Sequence, residues 1–435
     1  MSREEVKRPL GILSLTALVV ASMIGAGVFT TSGFSVATLR SPWLVMVAWA
    51  VGGAIALCGA LSYGKLAHRL AESGGEYVFL SRFLHPAAGF LGGWVSLLAG
   101  FTGAAAFAAV TFDLYAWPAD SRPAWLPAKS LAMLLVLVVT VFHAFHTKSG
   151  AIGQNLLVGF KLVLLVAFLL VAYSLFGNWQ GGAALSRPLD SPPPNVLLDF
   201  ASSVMWISLS YSGFNAAVYV TEEARGGSAT IARAMIYGTV VVTFFYLLLN
   251  AAFLFAPGVQ AIAGKSDVAA ITAQALAGEW FAWLTRAMIC LGLASSVSSA
   301  LVAGPRVYAK MAADRLLPSQ LATKDSPPTN AVLLQGTGVL LVIYFSGLQS
   351  LLSYLGLTLS LFAALTVSTL FILSNESHGD VPKTEGLLAP GIFVSSTLIL
   401  AALAAYHRPY EAIATAVTLL SGIVVYLAVK RFSSN

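Results

Sequence analysis

Met23-Ile24-Gly25-Ala26-Gly27-Val28-Phe29 interrupts an apolar run over residues 11–37 at the depth where a membrane helix should be most regular. Two glycines around one small residue predict a helix that breaks there. Peptide groups released from helical bonding persist in hydrocarbon only where they line a cavity or meet a polar ligand, so the break is a candidate binding site. Tyr211-Ser212-Gly213-Phe214-Asn215 interrupts a second run, over 198–220. Interrupted spans in corresponding halves of a chain point to a secondary transporter built from inverted repeats. The competing explanation is that small residues here only let helices pack closely.

The rest of the chain supplies the membrane setting. Of its 435 residues 58% are hydrophobic and 10% charged, with mean hydropathy +0.82, the composition of an integral membrane protein. Twelve apolar stretches are long enough to cross, at 11–37, 42–66, 86–115, 129–146, 151–176, 198–220, 231–255, 280–310, 328–346, 349–373, 387–405 and 409–429. With the N-terminus inside, 16 Lys and Arg fall on the inner side, from Arg3, Lys7 and Arg8 through Lys148, Lys324 and Lys383 to Lys430 and Arg431, and 7, Arg187 among them, on the outer. Positive charge is retained in cytoplasmic loops, so both termini are expected in the cytoplasm of a cell whose inner (plasma) membrane holds the protein. The first span has no cleavage signature and is expected to be retained.

The fold class expected is therefore an all-α integral membrane protein of twelve transmembrane helices, one transporter domain over 1–435. An outer stretch carrying Gly181-Gly182 and Pro192-Pro193-Pro194 follows the fifth span. Five spans per unit is an odd number, so a second unit enters from the opposite side: 1–176 is one inverted repeat, 198–373 the other, and 387–431 two accessory helices. Trp43, Trp117, Trp125, Trp179 and Trp280 fall near outer ends, where indole rings settle at headgroups. The net charge of +6 reflects topology and gives no sign of nucleic-acid binding. Cys58 and Cys290 sit inside spans, so no covalently linked partner subunit is expected.

The breaks define the ligand chemistry. The half-helix ending at Ile24 directs carbonyls at the midplane, while the half starting at Gly27 directs amides there. The second break adds carbonyls near Leu209, Ser210 and Ser212. Amides at a positive helix end suit a carboxylate and carbonyls at a negative end suit an ammonium, so the fitting substrate is an α-amino acid. Gly25, Ala26 and Gly27 are expected to take the carboxylate; Met23, Ile24, Leu209 and Ser212 the ammonium. Glycine at 25, 27 and 213 is expected for close approach and positive φ. Thr102, Gly103 and Ala106 are expected on the cavity wall, and no acidic side chain lies at that depth.

Several ordered motifs carry a resemblance. Pro9-Leu10-Gly11 before Ile24–Phe29, Ser73-Gly74-Gly75-Glu76-Tyr77, Tyr211–Asn215 with Thr221-Glu222-Glu223, and Arg306 with Asp314-Arg315-Leu316-Leu317-Pro318 are similar to the amino acid-polyamine-organocation (APC) superfamily, most of all its L-type amino acid transporter branch and bacterial amino acid permeases. The resemblance runs over about residues 9–325. It implies the leucine-transporter-type architecture, a 5+5 inverted repeat plus two helices with spans 1 and 6 broken, and amino acid transport by alternating access. Three positions depart from the pattern. Leu209 stands where an aromatic gate is frequent, leaving Trp206 or Phe214 to shape or shut the pocket. Arg225-Gly226-Gly227 replaces an Asn-Pro, and Ala26 replaces a frequent serine.

Lys161 lies well inside the fifth span. A membrane lysine costs several kcal/mol unless it pairs or loses its proton, so it is a functional candidate. Its position resembles the lysine that takes the place of sodium in sodium-independent relatives; contacts with carbonyls near Met23 and Ile24 and with Ser295, Ser296 or Ser299 are then expected. Asn215 is expected to steady the second break. Glu222 and Glu223, beside Arg225 and facing Arg306 and Arg315, are expected to form an inner gate. His143 and His146 have ligand-like spacing but sit at the predicted interface, and no metal or other cofactor is expected. No catalytic constellation stands out, so an enzyme is not expected. The function read here is sodium-independent transport of neutral α-amino acids by exchange or proton coupling. The alternatives are a polyamine or organic-cation permease, which would want a buried Asp or Glu, and a non-transporting amino acid sensor.

Overall fold

The computed structural model describes residues 10–145, 151–179, 195–322, 328–376 and 386–433. His146, Arg3, Lys7, Arg8, Lys148, Arg187, Lys324, Lys383, Gly181-Gly182 and Pro192-Pro193-Pro194 lie outside the described residues. In chain order the first helices are α1 (Ile12–Met23), α2 (Ala26–Leu39), α3 (Pro42–Arg69), α4 (Gly75–Phe83) and α5 (Pro86–Ala116). Then come α6 (Ser130–Phe145), α7 (Ala151–Ser174), α8 (Val196–Tyr211), α9 (Gly227–Phe255) and α10 (Val268–Ala277). The last are α11 (Glu279–Ala313), α12 (Thr329–Phe345), α13 (Leu348–Glu376), α14 (Leu388–His407) and α15 (Pro409–Ser433). Among the described residues there is no strand, only one parallel bridge between Leu10 and Ala224.

Seven of these helices, α3, α5, α9, α11, α13, α14 and α15, contain stretches long and apolar enough to cross a membrane. The bent pair α1–α2 supplies an eighth if counted as one span. Apolar side chains such as Val163, Phe244 and Leu427 remain exposed on the outer surface of the bundle, as a lipid-facing surface requires. Small residues set the spacing inside it. A methyl added at Gly64 of α3 would come within 2.9 Å of the Ala232 Cβ of α9, and one at Gly238 of α9 within 2.6 Å of Val19 in α1. Local chemistry starts the helices: the Ser41 hydroxyl accepts from the Leu44 amide at 3.3 Å just before Pro42, an N-cap followed by proline at the first helical position.

Two short elements between long helices hold the segments next to the breaks. On one side, α10 and the turn before it grip α2. The Gly264 amide donates to the Gly33 carbonyl at 2.9 Å, and the Tyr115 hydroxyl of α5 donates to Phe29 O at 2.7 Å while accepting from the Ala269 amide at 3.3 Å. With only ten residues, α10 is too short to signal a span from hydropathy. On the other side, α4 and the loop before it grip the 3₁₀ segment Ala216–Glu223. The Glu222 amide donates to Ser73 Oγ at 3.0 Å, and the Glu76 carboxylate accepts from Tyr63, Asn215 and Tyr219.

Charge is buried at one further place. Arg122 lies 2.6 Å from Asp113, with side chains 10% and 3% exposed, and Asp113 also accepts from the Lys129 and Leu131 amides at 3.3 and 3.0 Å. This cluster fixes the connection between α5 and α6. Removing one member of such a pair strands the other in a desolvated site, so Arg122→Ala is expected to destabilise by about 3–5 kcal/mol. Arg82→Ala, which opens the exposed pair with Glu72, is expected to change stability by less than about 1 kcal/mol. Thermal unfolding of the two purified variants in detergent checks the contrast.

Candidate functional site

The first break occupies two residues. Helix α1 ends at Met23, Ile24 caps it in an extended conformation (φ −74°, ψ 95°), and α2 begins at Ala26 at 43° to α1. The Ile24 amide still bonds Val20 O at 3.1 Å, so the rupture falls on the next peptide groups. No side chain caps the N-terminus of α2, and among the described residues no hydrogen bond outside the helix is made by the Gly25, Ala26 or Gly27 amides. These amides stand at the positive end of the α2 dipole.

The second interruption follows α8. Ser212 leaves the helix (φ −56°, ψ 139°) and its amide bonds Leu209 O at 3.1 Å. Gly213 turns the chain at φ +104°, and Ala216 closes onto Gly213 O at 2.9 Å before the 3₁₀ segment begins. Glycine is required here twice. A Cβ would force a positive φ on an L-residue and would lie 2.8 Å from the Ser22 carbonyl carbon and oxygen.

The other two glycines do not follow that expectation. Gly25 has φ −127°, and a Cβ there would meet only Met23 O, at 3.9 Å. Gly27 is helical, and its small size serves packing: a Cβ would strike the Ser210 hydroxyl and come within 3.1 Å of Ser210 Cα. Close helix contact explains Gly27 through van der Waals packing in a medium with no hydrophobic drive between helices.

Four of the expected carbonyls already accept a bond. Tyr246 of α9 places its hydroxyl 2.7 Å from Met23 O and 2.8 Å from Ser210 O, joining the two interruptions. Lys161 Nζ donates to Ile24 O. Leu209 O is taken by the Ser212 amide. Each retains a second lone pair, and among the described residues no bond to Ser212 O is present. Tyr246 was missed from sequence, although a tyrosine inside an apolar span with Asn250 one turn on is a polar pair at depth. Asn250 bonds Tyr246 O at 2.8 Å and contacts Ser32, which accepts from Trp49 at 3.2 Å.

Other expected residues are placed differently. Thr102 is buried, with its methyl 3.3 Å from a Cβ built at Gly338 of α12, and a Cβ at Gly103 would meet Leu355 of α13. Both lie in the π-helical stretch Ser96–Gly103 inside α5. Phe214 packs edge-on against Tyr63 and Phe393. Trp206 is 1% exposed; its indole donates to Ser353 at 2.7 Å and Arg408 lies over its ring at 5.0 Å. Asn215 reaches away from the break to Glu76 at 2.7 Å.

The serines and the charged inner residues also have other partners. Ser296 and Ser299 donate to Gly292 and Ser295 carbonyls at 3.0 and 2.8 Å, and Ser295 is buried. It is Gly292 that faces the Lys161 stem, at 3.5 Å from a built Cβ. Glu222 bonds the Ser73 turn, Glu223 O accepts from Leu10 at 3.2 Å, and the Arg225 amide donates to Leu10 O at 2.8 Å. Among the described residues no ion pair joins Glu222 or Glu223 to Arg306, which is exposed. His143 bonds Ser298 at 2.7 Å, and no cluster able to hold a metal is found among the described residues. A hollow does lie beside the first break, on the side of α7, α10 and α11; of the expected residues, Gly25 and Lys161 line it.

A broken helix inside an apolar bundle sets unpaired amides near carbonyls, and the class of the protein follows from the family it matches. The solved structure titled "Inward facing conformation of Mhp1" is similar over 98% of this chain and 92% of its own, with TM-score 0.58 and 15% identity, which shows the leucine-transporter-type fold. The amino acid permease family model matches residues 10–429, and the chain belongs to that family of the APC superfamily. It is 26% identical over 433 residues to the human "Large neutral amino acids transporter small subunit 2", covering 97% of this chain and 80% of the relative. It is 24% identical over 432 residues to the mouse "b(0,+)-type amino acid transporter 1", covering 97% and 87%. The protein is a transporter of the membrane and not an enzyme.

Two substitutions test the geometry of the interruptions. Gly213→Ala is expected to lower stability by about 1–3 kcal/mol, the cost of a forced sparse conformation, with Gly25→Ala as a neutral comparison. Tyr246→Phe removes the shared donor and is expected to cost about 1–3 kcal/mol through two under-satisfied carbonyls. Melting of the purified variants reads both.

Proposed function

We propose that this protein is a sodium-independent secondary transporter of neutral α-amino acids in the cell inner membrane, with both termini cytoplasmic, working by alternating access through exchange or proton coupling. The observation that carries the reading is the Lys161 ammonium on the Ile24 carbonyl, a fixed or titrating positive charge at the negative end of α1. A cation held there by the chain leaves a sodium ion no role at that point.

The wider architecture follows the same reading. Twelve spans form two five-span inverted repeats, 1–176 and 198–373, with 387–431 as accessory helices. The grips on the two interruptions support it: a short element inserted after the second long helix of one unit holds the broken segment of the other. In α-amino acid binding the unpartnered amides of Gly25, Ala26 and Gly27 take the carboxylate. The second lone pairs at Met23, Ile24 and Leu209, with Ser212 O, take the ammonium. Trp206, with Arg408 across its ring, closes the outer side. The inner closure is the Glu76 cluster together with the Ser73–Glu222 bonds, in place of an arginine ion pair. Neutral selectivity is supported by the substrate that the name of the human relative gives.

Uptake into proteoliposomes tests this. Labelled leucine, alanine and phenylalanine are expected to enter equally in sodium and in choline buffers, with arginine and putrescine excluded. Lys161→Ala is expected to lower uptake at least about tenfold, equivalent to about 1.4 kcal/mol, in protein whose melting shows it folded. Uptake that requires sodium, or that Lys161→Ala leaves unchanged, overturns the assignment.

A further inference from the structure

The hollow at the seam of α7 and α11 shares Gly25 and Lys161 with the proposed transport site, while its remaining walls have no part in that site. Its inner end is Gly25, Gly292 and the ammonium of Lys161, and its walls are Leu164, Leu165, Met288, Ile289 and Leu293. Phe29, Phe168 and Ala269 stand toward the other end, beside Thr285. Lys161 to Phe168 is seven residues along α7, and Thr285 to Gly292 seven along α11. At 1.5 Å per residue the hollow is a slot about 10 Å long.

Polarity along the slot is uneven. Lys161 spends one of its three donors on Ile24 O, leaving two. Thr285 is 3% exposed, lines the slot, and its hydroxyl has no hydrogen-bond partner among the described residues. The other nearby cation, Arg286, is neutralised by Asp267 at 2.6 Å, so the uncompensated positive charge is at the Lys161 end. Between the two ends the walls are aliphatic and aromatic. Val163 and Leu170 on α7 and Leu284 and Leu291 on α11 are exposed apolar side chains beside it, a rim that an acyl chain can cross from the bilayer.

We infer that this slot is a binding site for a medium-chain aliphatic carboxylate drawn from the membrane, its carboxylate on the two remaining donors of Lys161 and its chain between α7 and α11. Octanoate matches the slot in extended length. The pairing is charge-assisted and sheltered from water, where such bonds are strong. Occupancy sets a second acceptor on Lys161 beside Ile24 O and so loads the same ammonium that steadies the break. Binding here requires no transport, and its outcome is separate from that of the uptake experiment.

The test is binding of labelled octanoate to the full-length protein in nanodiscs, with empty nanodiscs subtracting partition into lipid. Saturable binding is expected, displaced by unlabelled octanoate and not by octanol, octylammonium or acetate. Leu165→Trp and Ile289→Trp fill the slot from opposite walls and are expected to raise Kd at least about tenfold; both are read alongside melting, and the folded one of the two suffices. Displacement by octanol equal to that by octanoate, absence of saturable binding, or wild-type affinity in a folded slot-filling variant overturns the inference.

Discussion

A helix cannot be cut inside a bilayer without giving its stranded peptide groups something to bond. In this chain the stranded carbonyls of Met23 and Ile24 are met from two sides. Tyr246 approaches Met23 O and spans to Ser210 O, while Lys161 reaches Ile24 O. Adjacent carbonyls on one turn point in different directions, so two helices, α9 and α7, are both tied to a single rupture. The opposite end, the first turn of α2, receives no such partner. That asymmetry is what the proposed site rests on: acceptors that are satisfied hold the position of the break, and donors without a partner among the described residues are left at the start of α2.

The arrangement constrains how the bundle can move. Met23 and Ser210 share one hydroxyl, and Gly213 lets the second interruption lie 2.8 Å from the Ser22 carbonyl. The inner ends are joined as well, through Leu10 with Glu223 and Arg225. The end of α1 and the chain after α8 are therefore linked at two depths, and a displacement of one draws the other along. Their outer and inner continuations are gripped separately, α2 by Tyr115 and the Gly264 turn, the 3₁₀ segment by Glu76 and Ser73. A joint core with two separately held flaps is the arrangement in which access can change on one side at a time.

What sequence could show divides along a physical line. Hydropathy and glycine spacing are local, and they expose the apolar spans, the helix end at Met23 and the turn at Gly213. Lys161 was legible because a charge in an apolar run is conspicuous on its own. Contacts made across the bundle were not. Thr102 lies in a π-helical stretch that no period reveals. Glu222 and Arg306 look complementary on paper, yet Glu222 is closer to the Ser73 turn, which arrives from another helix pair. Arg408 comes from the turn between α14 and α15 to cap Trp206, and nothing in either residue's neighbourhood in the chain announces the meeting. Gly25 and Gly27 look alike in sequence, and only packing separates the one with open space from the one pressed on Ser210.

The position of Lys161 connects these observations. Its stem runs along Gly292, where a larger residue would compete for the space, and its head lies beside Gly25. A sodium ion at the same point would be a separate ligand with its own dissociation, whereas a tethered ammonium is present in every conformation and only its partners change. When α1 shifts, the Ile24 carbonyl must leave or carry the ammonium with it, and either event exposes Nζ to whatever occupies the slot between α7 and α11. The energetic burden of keeping a charge at that depth is then shared between the break and the slot, so a change in one alters the stability of the other. On the two proposals together, coupling between the substrate site and the outer wall of the bundle would run through that single shared cation, without any chain of intermediate residues.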